Sequence, residues 1–397
     1  MNKGFKAEAK IEKIVYGGSG LTRIDGKVCF VPDTIDGETV IIEVTKERSD
    51  FLKATCLRIP TPSHNRIEPQ CPLSKVCPGC VYQHISFEHE NTLKNNQLME
   101  FLKKNIEVSE GALNEYSAPQ SPLGYRNKIT LHVQKDGGET LLGYKQPNGT
   151  VMPLNNCPIA CKEINDKLAE LTADKGFFHT LHHGHSLTLR HTEQNDVIYW
   201  RNNPPAKMSW LKENMPFGSF SVPAGSFQQV NPHGCNALIE AVTKVINQIQ
   251  PETVIDLYCG SGLFATTAAA AGVKDIVAVE SDEKAIAAVN YNLKQQCVAA
   301  PTIISDDVAK QQDTILEKIN DKTLLIVDPP RNGLKGKVRN MLTSSKLKKL
   351  IYISCGPDTL GRDLRDLATA GFRLEKAQMI NMFPRTGHFE TFTYLTR

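Results

Sequence analysis

The sequence lacks any run of about 18 apolar residues, the length that a helix crossing a bilayer needs, so a membrane-spanning helix is excluded. It also has little net charge. Forty-six Lys and Arg against 43 Asp and Glu leave +3, so any basic surface that meets a polyanion has to be local. The opening residues, MNKGFKAEAKIEK, are basic but carry neither the apolar core nor the small-residue cleavage site of a secretory signal, so a cytoplasmic protein is expected. Thiols are kept reduced there, and eleven cysteines then read as free, metal-binding or catalytic side chains rather than a disulfide framework. What remains is ordinary globular composition, 40% hydrophobic and 22% charged over 397 residues, enough for two to three domains.

Residues 8 to 59 alternate apolar and polar in short stretches. Turn signals at Gly17-Gly18, Asp25-Gly26 and Asp36-Gly37 separate them, which predicts four or five strands in a small barrel. Four prolines between Pro60 and Pro72 mark a linker. Leu93, Leu98, Phe101 and Leu102 then recur at helical spacing over residues 88 to 105, and by analogy a longer helix over 88–116 is expected to pack back on the last domain. The middle of the chain is mixed and strand-rich, with hairpin turns at Asp136-Gly137-Gly138 and Asn148-Gly149 and no repeat. From Val230 on, short fully apolar strands alternate with helices, the pattern of a parallel sheet covered on both faces. The expected fold is α/β: an OB-like β-barrel over 1–60, a mixed α+β central domain over 61–226, and a Rossmann-like domain over 227–397.

Within the last domain, Val254-Ile-Asp-Leu-Tyr-Cys-Gly260-Ser-Gly262 ends a strand, turns through glycines and opens an alanine-rich helix. A ligand can approach the backbone at such a helix N-terminus. Taken alone, Gly260-x-Gly262-x-x-Ala265 with Glu280 at the acidic distance suits NAD as well as S-adenosylmethionine. The neighbouring strand ends decide between them: Asp256, Asp306, Asp307 and Asp328-Pro-Pro all fall at the carboxyl edge, where ligands bind in open parallel sheets. Carboxylates accept from nucleoside hydroxyls and adenine N–H groups and would repel a pyrophosphate, which favours S-adenosylmethionine.

The fifth strand leads into Ser354-Cys355-Gly356, so Cys355 is expected at the same edge, and a glycine turn at Gly387 could fold His388 and Glu390 back over the pocket. A cysteine has a purpose beside a methyl donor. Thiolate addition to carbon 6 of uracil makes carbon 5 nucleophilic enough to take a methyl group. A carboxylate such as Glu390 can then remove the carbon 5 proton so that the thiolate leaves.

Taken together, Phe227-Gln-Gln229-Val-Asn231, Asp256-x-x-Cys-Gly-Ser-Gly262, Asp328-Pro-Pro-Arg331, Ser354-Cys355-Gly356 and Gly387-His388-x-Glu390 resemble the RNA uridine-5 methyltransferases over essentially the whole chain. Residues 8 to 59 look like a TRAM domain, and the cysteine cluster resembles that of the TRAM-bearing ribosomal RNA branch typified by RlmD and RlmCD. The resemblance implies Cys355 as nucleophile and Glu390 as proton-abstracting base. It also implies that Gln229, Tyr258, Glu280, Asp307 and Asp328 hold S-adenosylmethionine or the target base, beside the cofactor turn at Gly260 and Gly262. The implied reaction is methylation of carbon 5 of a uridine in 23S ribosomal RNA through a covalent cysteine adduct. The same chemistry on tRNA, an RNA-binding assembly factor without turnover, and an NAD-dependent oxidoreductase are the competing readings. Leu263 departs from the family, some members of which place a polar cofactor contact there.

Cys71-x5-Cys77-x2-Cys80 supplies three thiolates, with Cys157 or Cys161 as a fourth; zinc and a [4Fe–4S] cluster both suit four thiolates, and the spacing alone does not choose. The proline after the distal cysteine and the family resemblance favour iron–sulfur, with Cys157 as the fourth ligand and a structural role. Five of the eleven histidines lie between His179 and His191, without a recognisable cysteine or carboxylate partner in the sequence, and read as a polar hairpin. RNA is the expected partner, with no membrane and no obligate protein partner indicated. Candidate contacts are Lys27, Phe30, Lys46, Arg48, Phe51 and Lys53 on the barrel, then Tyr125, Arg126 and Lys128.

Overall fold

The computed structural model describes residues 3–113, 116–205 and 210–397. The first six strands form one sheet: β1 (Lys6–Lys10), β2 (Lys13–Ile14), β3 (Gly20–Ile24), β4 (Lys27–Val31), β5 (Thr39–Glu47) and β6 (Phe51–Thr61), ordered β1-β5-β6-β4-β3-β2. Its two ends, β1 and β2, are separated by only Ile11 and Glu12, so the sheet rolls round an apolar interior that includes Val31, Val40, Ile42, Val44 and Leu52. Alternation along β5 sends Val40, Ile42 and Val44 inward, as a half-buried strand requires. Six strands appear where four or five are expected, because the short β2 carries too little alternation to register as a strand. Asp25 and Gly26 both take positive φ (47° and 78°) in the two-residue turn joining β3 to β4.

Helix α1 (Phe87–Asn105) is capped by Ser86, carries Glu88 and Glu90 in its first turn, and ends on Lys103 and Lys104. It lies between two cores: Leu93 packs into the barrel, while Leu98 and Leu102 pack under the C-terminal sheet. The helix ends where its spacing does, at 105, and is shorter than the 88–116 expected by analogy. After Asn105 the chain turns extended, through Val108 and Gly111 (φ 74°), and bridges at Leu113 and Ser117 along the edge of the C-terminal sheet. Positions 114–115 of the expected helix lie outside the described residues.

The middle of the chain forms a five-stranded antiparallel sheet ordered β11-β10-β7-β8-β9. Its strands are β7 (Lys128–Asp136), β8 (Glu139–Lys145), β9 (Val151–Pro153), β10 (Ser186–Thr192) and β11 (Asn195–Arg201), with α2 (Lys162–Ala173) and α3 (Lys175–His179) between β9 and β10. A hairpin of β12 (Trp210–Met215) and β13 (Gly218–Pro223) follows, and its Phe220 and Val222 are buried in the core of the C-terminal sheet.

That last sheet has seven strands ordered β16-β15-β14-β17-β18-β20-β19. They are β14 (Thr253–Leu257), β15 (Asp275–Glu280), β16 (Thr302–Ser305), β17 (Thr323–Val327), β18 (Lys349–Ser354), β19 (Arg373–Ile380) and β20 (Glu390–Thr396). Helices α4 (Pro232–Ile249), α5 (Leu263–Ala270), α6 (Glu283–Gln295), α7 (Gln312–Glu317), α8 (Gly336–Ser344) and α9 (Pro357–Thr369) cover it, with a separate core on each face. Strands β14 and β17 are buried at every position, which explains their unbroken apolar runs. Strand order reverses at β14, so a crevice opens where β14 and β17 diverge. The expected α/β class, with an N-terminal barrel, a mixed centre and a Rossmann-like end, is the fold observed. No helix among the described residues is long and apolar enough to cross a membrane.

Candidate active site

The carboxyl ends of the parallel strands open onto a cavity of about 600 Å³ lined by Gln229, Tyr258, Gly260, Glu280, Asp307, Asp328, Cys355 and Glu390, among others. Eight of the nine residues singled out for catalysis and cofactor binding therefore meet in one space. The ninth, Gly262, stands behind the wall as the N-cap of α5, with φ 84°, and a Cβ there would sit 3.3 Å from Val289 Cα. It shapes the turn rather than lining the cavity.

The turn after β14 is held in an unusual form. Tyr258 has φ 63°, Gly260 φ 53° and Gly262 φ 84°, and left-handed backbone at a tyrosine is costly. Glu280, at the end of β15, fixes this turn by accepting from Gly260 N–H (3.0 Å) while its other oxygen accepts from Asp282 N–H (2.9 Å). Asp256 accepts from Ala265 N–H at the start of α5 (2.8 Å), and its second oxygen is buried without a partner. Tyr258 OH, Gln229 Oε1 and Ser261 Oγ are also buried and unpartnered. Native interiors rarely leave so many polar atoms unsatisfied in one place, and a polar ligand in the cavity would reach those of Gln229, Tyr258 and Ser261, which line it.

Acids outnumber bases in the cavity lining, where Arg331 and Lys335 face five carboxyl groups. Burial raises Asp328 to about 7, and burial followed by Asp328 holds Glu390 well above the usual carboxylate range, with Arg331 opposing. Burial pushes the Cys355 thiol up to about 11, with Glu390 and Asp328 adding to the rise. Lys335 is engaged by Asp307 at 2.5 Å and holds that carboxyl below its usual range. A cationic ligand suits this surplus of acids, and a sulfonium with an amino group fits both the charge and the orphaned acceptors.

Cys355 and Glu390 come together because β20 runs antiparallel to β18. The pairing Ser354↔Thr391 puts the last residues of one strand beside the first of the other. The loop before β20 is tied down by every part of the chain. Glu90 and Lys94 of α1 are both fully buried, and Lys94 Nζ donates to Glu90 (2.8 Å), Asn381 Oδ1 (2.9 Å) and Phe383 O (3.1 Å). Arg385 N–H donates to Glu90 (2.8 Å), and Arg385 O accepts from Val81 and Tyr82 N–H (2.9 and 3.0 Å). Tyr125 OH donates to Pro384 O (3.0 Å). Tyr125 is buried, so it is a structural tyrosine and not the exposed RNA contact that its basic neighbourhood suggested. Phe30 and Phe51 meet edge to face, and Lys27 pairs with Glu47, which leaves Lys46, Arg48 and Lys53 as the exposed cations of that barrel group.

Sequence reasoning missed Phe227, whose ring is 73% exposed at the cavity wall. Its place in Phe227-Gln-Gln229 was the available signal.

Cys71, Cys77, Cys80 and Cys157 converge: burial raises the Cys77 and Cys80 thiols, Cys80 to about 12, and the other cysteines of the set reinforce the rise. Cys71 and Cys157 are buried and Cys77 and Cys80 partly so, a set of soft donors whose chemistry fits a metal or cluster. Cys161 faces elsewhere. Its Sγ lies 3.9 Å from His191 Nδ1, which is 3.9 Å from Glu163 Oε2. These three could hold an ion, so His191 does have the cysteine and carboxylate neighbours that the sequence did not reveal. Glu163 is half exposed in this trio.

Comparison with known proteins agrees with this geometry. The family model for tRNA (uracil-5-)-methyltransferase matches residues 217–397, and that for the TRAM domain matches residues 2–57. An uncharacterized RNA methyltransferase of Listeria monocytogenes is 28% identical over 100% of this chain and 98% of its own length. The 23S rRNA (uracil(1939)-C(5))-methyltransferase RlmD of Shewanella baltica is 26% identical over 97% and 94%. The crystal structure of Pyrococcus abyssi tRNA (uracil-54, C5)-methyltransferase, in complex with S-adenosyl-L-homocysteine, has the same fold. It superposes with a TM-score of 0.71 at 21% identity, covering 98% of this chain and 99% of that one. With its acid-lined cavity, its cysteine and carboxylate at one sheet edge and these matches along its length, the chain is an S-adenosylmethionine-dependent RNA (uracil-5-)-methyltransferase whose residues 2–57 match a TRAM domain.

Proposed function

We propose that the chain methylates carbon 5 of a uridine in 23S ribosomal RNA through a covalent bond between Cys355 Sγ and carbon 6 of the base. The observation that carries this reading is the convergence of Cys355, Glu390 and Asp328 on one cavity. With its proton released to solvent, the Cys355 thiolate adds to carbon 6, and the electron pair moves into the ring so that carbon 5 becomes nucleophilic. Bound S-adenosylmethionine supplies an electrophilic methyl group and a positive charge that favours the thiolate and the Glu390 carboxylate. Glu390 then takes the carbon 5 proton, the carbon 5–carbon 6 double bond re-forms, and the thiolate leaves. Glu280 and Asp307, with oxygens at the β15 and β16 ends, suit the nucleoside hydroxyls and adenine. Tyr258 OH and Gln229, both unpartnered, suit the remaining polar groups of cofactor or base. Phe227, exposed at the wall, offers a face for a base flipped out of the RNA.

We assign a [4Fe–4S] cluster to Cys71, Cys77, Cys80 and Cys157. Four thiolates are the soft ligands such a cluster takes, and the proline after the distal cysteine together with the family resemblance favours it over zinc. Eleven unpaired cysteines suit a reducing, cytoplasmic setting.

The decisive experiment incubates the protein and S-adenosylmethionine with ribosomal RNA carrying 5-fluorouridine, whose carbon 5 has no proton to lose. A protein–RNA adduct that survives denaturation, and that Cys355→Ala abolishes, is the expected result; release of intact RNA refutes the mechanism. Mass mapping of methylated RNA from cells lacking the chain separates the ribosomal target from tRNA.

A further inference from the structure

The turn between β2 and β3 belongs to the barrel by chain position, yet its Tyr16 packs into the core beneath the C-terminal sheet. The ring meets Phe101, His388 and Phe389 edge-on, with centroids 6.4, 5.9 and 5.6 Å away. Its hydroxyl lies 3.3 Å from Cys355 O and 3.0 Å from His388 Nδ1. A phenol has one proton, so both contacts are hydrogen bonds in one arrangement: His388 Nδ1–H donates to the phenol oxygen, and the phenol O–H donates to Cys355 O. The surroundings support it. Burial, then Arg331 and Lys94, holds His388 below its ordinary value and keeps the ring neutral, while burial raises Tyr16 to about 12 and keeps its proton on.

The backbones close the joint. A Cβ on Gly387 would sit 2.9 Å from Gly17 Cα and 3.1 Å from Gly17 C, so the barrel turn is seated against the loop that leads into Glu390 with no room for a side chain. Beyond Ser354↔Thr391, where β18 and β20 stop pairing, Tyr16 bridges the nucleophile's turn and the base's loop.

We propose that Tyr16, carried by the barrel, is a positioning residue for methyl transfer, setting Cys355 and Glu390 at the separation that the reaction needs. The proposal rests on the reading of Cys355 as nucleophile and Glu390 as base. Each must reach a different carbon of one ring, and small misplacements of reacting groups are costly in rate. The barrel then does more than carry RNA: it completes the active site.

The test uses the full chain with its cluster and the variant Tyr16→Phe, which keeps the ring contacts and removes only the hydroxyl. The expected result is a fall in kcat of about tenfold, the loss of one hydrogen bond of ordinary strength. The KM for RNA, the affinity for S-adenosylmethionine and the melting temperature should stay near wild type, and adduct formation with 5-fluorouridine RNA should slow by the same factor as kcat. A second variant, Gly387→Ala, keeps the hydroxyl but pushes the turn off the loop and should show the same kcat-specific loss. A Tyr16→Phe protein with unchanged kcat overturns the proposal, as does one whose loss lies in KM or melting temperature instead. If wild type itself forms no adduct, the proposed function fails; if wild type forms it and Tyr16→Phe matches its rate, only the positioning role fails.

Discussion

Removing the carboxylate of Glu90 should harm the protein more than removing the cation of Lys94, although the two form one ion pair. The pair sits at zero exposure, and Arg385, also buried, approaches the same carboxylate through Nη1 (3.3 Å) and its backbone N–H (2.8 Å). Two cations therefore share one anion. In Lys94→Met the Glu90–Arg385 pair survives as a neutral unit, and the loss is three hydrogen bonds partly offset by the methionine's packing, about 2 kcal/mol. In Glu90→Gln both cations remain buried with no counter-charge, and removing one partner of a buried pair costs about 3–5 kcal/mol. The pH dependence follows from the direction of the lysine shift. Burial holds Lys94 below its ordinary value in the folded chain, so the unfolded chain binds more protons between that depressed value and about 10.4, and stability rises with pH across the window. Without Glu90 the folded-state value falls further and the window widens downward. Urea midpoints followed by circular dichroism at pH 7 and pH 9 test both points. The expected order of stability at pH 7 is wild type, Lys94→Met, Glu90→Gln, with the deficit of Glu90→Gln shrinking at pH 9. Lys94→Met as the weaker variant, or a deficit that does not change with pH, would refute the charge count.

Three further outcomes are expected. Because the proposed mechanism needs Cys355 and Glu390 deprotonated and both are raised in the folded chain, kcat/KM for RNA should climb from pH 6 to pH 9; a flat profile, measured by methyl incorporation, would contradict this. Gly262→Ala forces a side chain into left-handed backbone 3.3 Å from Val289 Cα, a strain of about 1–2 kcal/mol, so calorimetry should find S-adenosylmethionine bound about tenfold more weakly. Cys157→Ser should lose iron and sulfide relative to wild type while Cys161→Ser retains them; equal loss in both, or zinc in place of iron, would overturn the cluster assignment.

The readable parts of this fold are those whose signal is local. The unbroken apolar runs of β14 and β17, the glycines at 260 and 262 and the prolines after Asp328 each announce a strand end by themselves, and in a parallel sheet strand ends share an edge. The meeting of Cys355 with Glu390 is different, since it depends on β20 inserting antiparallel between β18 and β19, a choice made by long-range pairing. Helical spacing gave α1 its end at 105, whereas the extension to 116 drawn by analogy fails because the segment after Asn105 is extended and uses Val108 and Leu113 for its own contacts with β19. Tyr125 misled because exposure is set by what covers a residue, here a loop some 260 positions away. Tyr16, and the neighbours of His191, were hidden for the same reason.

The anchoring of residues 381–388 has a practical corollary for anyone who would dissect this protein. Excising the last 170 or so residues would yield a piece with its sheet intact and its nucleotide crevice formed, yet stripped of the turn at Gly17, the helix bearing Glu90 and the backbone donors at Val81 and Tyr82. Such a fragment could fold and still be inert, and a barrel borrowed from another protein would restore turnover only if it brought a matching glycine turn.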